Sequence, residues 1–385
     1  MLDNRATAAE VYASAVAARA RDDLPSAERL AREGIALAPE SPSLSVLLGE
    51  VLLAQGRYAE GWAYYDAWPR LAEAVGKITI PKLPWPMWRG EPLAGKSLLV
   101  HPTQGYGDQM MYARFIRQLG ASKVTWVCNP ALTTTLQGLG ADVLELRSGV
   151  SLPICDYWSF PLSLPRWLGV TRETVPRDAY LPSHPVKTGG LNIGVCWQGN
   201  PDDPTDGLRS APQSALQPLM DFGELVPLSP AQTGAQSFSE TATIMDRCDL
   251  VVTVDTSVAH LAGAMGRPCW TMLPAHGADW RWGQAGREAP WYGSMTLFRQ
   301  HAPGDWPRPW RISPPRSRGT CGDPGRSRVD ARSPAGAEGS SWSVSRSVGI
   351  RSPLQPFVLT RVSSENRFPL FGTRSTASAP ETRRP

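Results

Sequence analysis

The stretch Leu250–Leu273, LVVTVDTSVAHLAGAMGRPCWTML, constrains the fold of this chain more than any other part of the sequence. It opens with the apolar, β-branched run LVVTV, which predicts a strand, and continues with a helical pattern. Gly266 and Pro268 then mark the end of that helix. The second apolar run, CWTML, predicts the next strand. A strand, a helix and a strand in so short a span indicate a βαβ unit, and therefore a parallel sheet.

Three polar residues, Asp255, Thr256 and Ser257, lie where the first of these strands ends and the helix begins. Free backbone N–H groups and the positive end of the helix dipole favour an anion at that point. We therefore expect a nucleotide-diphosphate site here. His260 follows one helical turn later, so its side chain could face either the ligand cleft or the sheet.

A glycine-containing loop, PTQGYGD, follows another short apolar strand and precedes a predicted helix at Gln109–Leu119. Its glycines, Gly105 and Gly107, allow a close backbone approach or a positive φ. Asp108 has two interpretations: a residue that caps the helix, or a general base in a cleft. Spacing alone favours the cap. The loop lacks the full dinucleotide-binding pattern, because Met110 replaces the third glycine.

Strands and helices alternate twice along the chain, with a proline-rich crossing segment between the two series. The predicted strands are Lys96–His101, Lys123–Cys128, Asp142–Leu146 and Cys155–Phe160, then Leu191–Trp197, Glu224–Leu228, Leu250–Val254, Cys269–Leu273 and Ser294–Arg299. Helices are predicted between them, including Leu132–Leu139, Gln213–Met220 and Phe238–Asp249. This pattern predicts an α/β chain with two Rossmann-like domains that face a cleft.

Further polar and aromatic residues fall in loops of the second series. Gly199 and Asn200 form a turn at the end of a strand. Arg209 could clamp a phosphate bidentately or be an ordinary surface arginine. Trp280 and Trp282 could stack on a nucleobase or fill a core. Taken singly, the surface and core interpretations are the commoner ones.

Residues 6–67 have small and apolar side chains at helical spacing, and two segments match at an offset of 34 residues. In this match Leu24 aligns with Tyr58 and Ala27 with Gly61. Such a period resembles the tetratricopeptide repeat, which would offer a groove for a protein partner. The alternative is a helical cap packed on the next domain. We favour the cap, because about three repeats are normally needed for stability and only two are visible.

The net charge of +4 does not describe the folded part of the chain. Residues 311–385 contain 13 arginines, no lysine and five acidic residues, which leaves 26 basic and 30 acidic residues in 1–310. The mild acidity of that part argues against nucleic acid as a partner. The arginine-, serine- and proline-rich tail predicts either disorder or a frameshift near codon 307 that removes a closing helix.

Three features predict a cytoplasmic protein. No apolar run approaches the ~20 residues that span a bilayer, and the N-terminus lacks the layout of a secretory signal. The six cysteines are scattered and form no CxxC pair, so free buried thiols are expected rather than disulfides or a metal site.

Five motifs occur in one order: GYGDQMMYARF, WQGNP, VDTSVAHLAGAMGRP, DWRW and APWYGSMTLFRQ. Together they resemble bacterial tetratricopeptide proteins whose C-terminal half is similar to glycosyltransferase family nine, the lipopolysaccharide heptosyltransferases. The resemblance covers roughly residues 90–306. It implies a GT-B fold with an acceptor-side domain over 76–185 and a donor domain over 186–310. A helical segment, 1–75, would precede them, and the tail, 311–385, would follow.

The resemblance also implies a reaction: transfer of a sugar from a nucleotide-sugar to an acceptor hydroxyl with inversion, without a bound metal or another cofactor. Asp108 matches the position of the general base. The residues that match donor-binding positions are Asp255, Thr256, Ser257, His260, Gly199, Asn200 and Arg209. The acceptor would be a glycan, a lipid-linked molecule or a protein. Two alternatives stay open: a non-catalytic scaffold with a degenerate GT-B body, and a nucleotide-sugar epimerase.

Overall fold

The computed structural model describes residues 7–102, 105–201 and 206–306. Over these residues a helical segment is followed by two parallel β-sheets with helices between their strands. The predicted α/β class with parallel sheets is confirmed. The predictions for the tail, 311–385, and for its missing closing helix fall outside the described residues.

The helical segment consists of five helices, α1 (Ala8–Ala20), α2 (Leu24–Leu37), α3 (Pro42–Ala54), α4 (Tyr58–Tyr65) and α5 (Trp68–Ala74). Side-chain caps start the first three: Thr7 forms a capping box with Glu10, and Asp23 and Ser41 each accept a backbone N–H bond. Successive helices from α1 to α4 pack on one another. The 34-residue match aligns the starts of α2 and α4, and its residues Leu24 and Tyr58 are both buried.

The first sheet contains β1 (Ser97–Val100), β2 (Lys123–Cys128), β3 (Asp142–Glu145) and β4 (Tyr157–Ser159). Its order is β3-β2-β1-β4, and every neighbouring pair is parallel. Each predicted strand is present within two residues of its expected bounds. Helix α6 (Tyr106–Ala113) follows β1, and α7 (Leu164–Trp167) follows β4.

Two helix predictions in this half are wrong in extent or in kind. Helix α6 begins three residues earlier than expected, and its predicted end is a separate 3-10 turn, Ile116–Gln118. The predicted helix Leu132–Leu139 is absent, and the chain forms the 3-10 turn Pro130–Leu132 followed by hydrogen-bonded turns. Three consecutive threonines disfavour a helix there, and Gly138 ends the stretch with φ +80°.

The second sheet has the order β6-β5-β7-β8-β9, again all parallel. In chain order its elements are β5 (Asn192–Cys196), α8 (Asp206–Arg209), β6 (Glu224–Pro227), α9 (Pro230–Thr233), α10 (Phe238–Met245), β7 (Leu250–Val254), α11 (Ser257–Ala264), β8 (Cys269–Leu273) and β9 (Met295–Arg299). The predicted helix Gln213–Met220 is a 3-10 helix with Pro218 inside it. The βαβ unit of the opening argument is confirmed, and Gly266 follows α11 with φ +68°.

The two sheets are joined through direct packing of α6 on α11. The crossing segment reinforces this contact: Tyr180 and Leu181 donate backbone bonds to Ala264 at the end of α11, and the Tyr180 hydroxyl donates to Met110 O at 2.9 Å. Arg114, the C-cap residue of α6, donates to Trp291 O of the second half. The helices that follow β1 and β7 therefore form one interface between the sheets.

The helical segment packs on both halves of the α/β region. The indole N–H of Trp62 donates to Val170 O at 2.9 Å, and the Trp62 ring lies 5.4 Å from that of Trp280. Asp66 accepts bonds from Ser163 and Arg166 of the first half. The segment is thus a helical cap on the α/β region, and its identity as tetratricopeptide repeats stays a prediction.

Two expectations about composition can be compared with the described residues. The five cysteines among them, at positions 128, 155, 196, 248 and 269, are free and buried, as predicted. Within the described ranges, no helix has the length and apolar character needed to cross a membrane.

Candidate functional site

The candidate site lies where α6 and α11 begin, because these helices start at the carboxyl ends of β1 and β7. Gly107 and His260 are in direct contact there, so that a β-carbon on Gly107 would stand 2.6 Å from His260 Cδ2. The structure therefore brings together two acid-containing loops, each between a strand and a helix, that lie about 150 residues apart in the sequence.

The start of α11 has no side-chain cap. Thr256 is the N-cap residue with an extended backbone, φ −144° and ψ 173°, and its side chain makes no capping bond. Its hydroxyl pairs instead with that of Thr253 at 3.1 Å. Ser257 is the first residue of the helix and is partly exposed. The first backbone N–H groups of α11 thus receive no side-chain cap from Thr256.

Asp255 lies just before this helix and is partly buried. Burial raises the pKa of its carboxyl, the negative charge of Asp279 raises it further, and Arg209 and Arg281 oppose the shift. The raised pKa still lies below 7, so the carboxyl is mostly ionised at neutral pH and accepts hydrogen bonds. An acceptor of this kind suits recognition of hydroxyl groups.

Gly199, Asn200 and Arg209 lie beside Asp255 because β5 is the neighbour of β7 in the sheet. Arg209 Nε bonds Asp206 Oδ1 at 3.1 Å, so this arginine is tied to a carboxylate rather than loose on the surface. Gly199 is closely packed: a β-carbon there would meet Asp206 Oδ1 at 2.1 Å. Asn200 is exposed.

Asp108 stands in the first turn of α6 with its side chain 24% exposed. Its Oδ1 lies 2.6 Å from Nη2 of Arg281, which comes from the loop after β8. Burial raises the pKa of the Asp108 carboxyl, although the positive charge of Arg281 lowers it. An ionised carboxylate with a raised pKa is a stronger proton acceptor than an ordinary surface aspartate.

Arg281 is the functional candidate that sequence reasoning missed, since the motif DWRW entered only as part of the resemblance. Its guanidinium is buried and bonds Asp108, both carboxylate oxygens of Asp279 at 2.9 Å, and the Tyr65 hydroxyl at 3.4 Å. Burial disfavours the charged guanidinium, but the negative charges of Asp108 and Asp279 outweigh this effect and raise the pKa of Arg281 above its ordinary value. The signal that could have identified it is an arginine flanked by tryptophans in a loop at the carboxyl end of a strand.

The aromatic residues of the same motif belong to the core, as their commoner interpretation predicted. Trp280 and Trp282 are 2% and 1% exposed. The Trp282 ring stacks on the imidazole of His260 with the centroids 5.3 Å apart, and His260 Nδ1 lies 2.8 Å from the Tyr292 hydroxyl. Burial, helped by the charge of Arg281, lowers the pKa of His260 to about 3, so this ring is neutral at pH 7.

A second missed residue comes from the helical segment. Glu50 lies on α3, which packs against the Trp280–Trp282 turn. Burial, together with the negative charge of Asp279, raises the pKa of Glu50 to about 7. The helical segment therefore adds a titratable carboxyl, and the Tyr65 hydroxyl, to the surroundings of Arg281. No group of three or more His, Cys, Asp or Glu among the described residues could hold a metal ion.

Part of this region is similar to a known protein family. Residues 231–279, from α9 to the loop after β8, match the model of glycosyltransferase family 9 (heptosyltransferase). This match supports a heptosyltransferase-like glycosyltransferase domain in the second half of the chain. Protein FlbA of Caulobacter vibrioides is 23% identical over 313 residues, which cover 66% of this chain and 52% of FlbA. The chain thus spans about half the length of this curated relative.

Solved structures with similarity to the chain include three glycosyltransferases. The iron-containing dodecameric glycosyltransferase TibC from enterotoxigenic E. coli is 13% identical with a TM-score of 0.36, over 56% of this chain and 66% of TibC. The E. coli ADP-heptose lipopolysaccharide heptosyltransferase II is 14% identical with a TM-score of 0.34, over 52% and 89%. A family 9 glycosyl transferase from Veillonella parvula is 12% identical with a TM-score of 0.33, over 56% and 88%.

Proposed function

We propose that the protein is a GT-B type glycosyltransferase that moves a sugar from a nucleotide-sugar to an acceptor hydroxyl with inversion. One observation carries the proposal. The packing of α6 on α11 brings Asp108 and Asp255, from the two sheets, into one site around Arg281 and Asp279. A base for the acceptor and a group for the donor sugar are then available at the same contact between the sheets.

The proposed reaction uses Asp108 as the general base. Its carboxylate accepts the proton of the acceptor hydroxyl while that oxygen attacks the anomeric carbon from the face opposite the nucleotide. The bond from the anomeric carbon to the diphosphate oxygen breaks, and the nucleoside diphosphate leaves with the bonding electron pair. Inversion follows because a single displacement occurs at that carbon.

The donor would lie along the start of α11. The backbone N–H groups there and the helix dipole stabilise the negative charge on the departing diphosphate, which lets the reaction proceed without a bound metal. Thr256 and Ser257 would contact the phosphates, and Asp255 would bind sugar hydroxyls. The carboxyl end of the neighbouring strand, β5, would contribute Gly199, Asn200 and Arg209 to this site. His260 would support the site through its contact with Gly107.

The acceptor class proposed here is a glycan, a lipid-linked molecule or a protein, and the compartment is the cytoplasm. The main role proposed for the helical segment is to complete the site, because Tyr65 and Glu50 approach Arg281. A protein partner bound through the outer face of these helices is a further part of the proposal.

A ligand screen followed by a turnover assay tests the proposal. Nucleoside-diphosphate sugars are added to the full chain, and the one that binds is expected to raise the melting temperature, since ligand at ~100 times its Kd adds about 2.7 kcal/mol of stability. Arg209→Met is expected to weaken this binding, whereas Arg29→Met, which changes an exposed arginine on α2, is not. Conversion of the donor without an acceptor would indicate an epimerase. A chain that neither binds nor converts any donor would be a scaffold.

A further inference from the structure

Arg281 connects three separate parts of the fold through one guanidinium group. Nη2 bonds Asp108 Oδ1 at 2.6 Å and lies 3.4 Å from the Tyr65 hydroxyl, while Nη1 bonds both oxygens of Asp279 at 2.9 Å. These partners come from the helix after β1, from α4 of the helical segment and from the loop after β8. No single part of the chain could build this arrangement alone.

The guanidinium is itself fixed in one orientation. The backbone N–H of Arg281 donates to Asp279 Oδ1 at 2.9 Å, so the carboxylate that receives the side chain also anchors the main chain. Its Cζ lies 4.6 Å from the centroid of the Trp280 ring, and the residue is only 7% exposed. Because the donor fork of an arginine is planar, these contacts leave Nη2 directed at Asp108.

We propose that Arg281 is a positioning residue that holds the Asp108 carboxylate, at the contact between α6 and α11, in the orientation from which it takes the acceptor's proton. This inference rests on the proposed function, since Asp108 is the base of that reaction. The bond to Nη2 occupies one of the roughly four lone-pair sites of the carboxylate.

The charge of Arg281 has a second consequence for the same carboxylate. Burial raises the pKa of Asp108, and the guanidinium opposes that rise, so Arg281 keeps the base ionised at lower pH. Other ionisable groups on the elements around Asp108 are Asp279 beside Arg281, Tyr65 on α4, Glu50 on α3, Tyr112 on α6 and the neutral His260 on α11. Compared with these groups, Arg281 is positively charged, and its Nη2 lies 2.6 Å from Asp108 Oδ1.

Three variants of the full chain test the proposal. Arg281→Met removes the charge and the bond, and Arg281→Lys keeps the charge without the fork. Arg299→Met is the matched control, because Arg299 donates to Trp282 O and Gly283 O of the same loop. Two quantities are measured: the acid limb of the pH profile of kcat/KM, and the carboxyl ¹³C titration of Asp108, which Asp108→Asn identifies.

We expect Arg281→Met to move both the acid limb and the Asp108 titration upward by about one to three pH units. Arg281→Lys should keep the pKa of Asp108 close to its wild-type value but should not give the full kcat. Arg299→Met should shift neither the acid limb nor the Asp108 titration. In the Asp108→Asn background, Arg281→Met should cause no further fall in turnover. An unmoved Asp108 titration in Arg281→Met and Arg281→Lys, or multiplicative losses in the double variant, would overturn the proposal.

The two proposals fail in different ways. A wild-type chain that transfers no sugar contradicts the proposed function. The carboxyl titration does not require transfer, so it still decides whether Arg281 sets the pKa of Asp108. If Arg281→Met does not fold, Arg281→Gln, which also removes the charge, replaces it in the titration, and the neutral pair Asp108→Asn with Arg281→Gln replaces it in the turnover comparison.

Discussion

Gly107 and His260 lie against each other at the contact between the two sheets, with 2.6 Å between the place of a Gly107 β-carbon and His260 Cδ2. The imidazole cannot easily retreat, because Trp282 stacks on it and the Tyr292 hydroxyl bonds its Nδ1 at 2.8 Å. The absence of a side chain at position 107 thus determines how closely α6 approaches α11. It thereby sets the distance between Asp108 and the start of α11.

Gly107→Ala is expected to lower the free energy of unfolding by about 1–3 kcal/mol, because the added methyl group overpacks a rigid contact. The same change should reduce turnover by displacing Asp108. Unfolding in urea measures the first effect. Gly105→Ala serves as the control for stability, since nothing lies within 4 Å of a β-carbon at that position and its φ is negative. Equal stability of the two variants would show that the Gly107–His260 contact does not limit the approach.

Glu50→Gln is expected to stabilise the protein above pH 7. The pKa of Glu50 is about 7 in the folded state against 4.5 in the unfolded state. The folded state therefore binds more protons between these values, and the wild-type free energy of unfolding falls as pH rises through this window. At one pKa unit per 1.36 kcal/mol, the penalty removed above pH 7 is about 3 kcal/mol.

Urea unfolding at pH 4 and pH 8 checks this expectation, with near-equal stabilities at pH 4 and a more stable variant at pH 8. The control, Glu40→Gln, changes a glutamate whose side chain is 95% exposed and should alter stability by less than about 0.5 kcal/mol at either pH. A Glu50→Gln chain as stable as wild type at pH 8 would place this carboxyl in water rather than in the interface.

Trp62→Ala tests whether the helical segment and the α/β region unfold together. Trp62 is 2% exposed and packs on Trp280, so its truncation should cost about 3–5 kcal/mol, and wild type and variant should each unfold in one transition. Tyr64→Ala, at a partly exposed position of the same helix, should cost less. Two separate transitions in urea would show that the helices fold independently of the domains they cover.

The strands could be predicted from the sequence because buried parallel strands are continuous apolar runs. Lys123–Cys128, Leu250–Val254 and Cys269–Leu273 have the predicted bounds. The predicted helix Leu132–Leu139 failed because its apolar residues are spaced as in a helix, while threonines and Gly138 favour turns. Spacing alone does not capture such local preferences.

The residues of the candidate site also differ in how well the sequence predicts them. Asp108 and Asp255 have local signals, since each lies in a loop between a strand and a helix. Arg281 has none of comparable strength: its partners Asp108 and Tyr65 are 173 and 216 residues away in the chain, and only folding brings them together. Glu50 had a weak signal, as a lone carboxylate within the apolar helix PSLSVLLGEVLLA.

Turnover by Asp108→Asn tests the central claim most directly. The wild-type chain and the variant are compared with the nucleotide-sugar that binds and with an acceptor that bears a free hydroxyl. The account predicts transfer by wild type and a fall in kcat of about 10²–10⁴-fold in the variant, with donor binding unchanged, because a general base contributes a factor of that size. Equal turnover by the two proteins would contradict it.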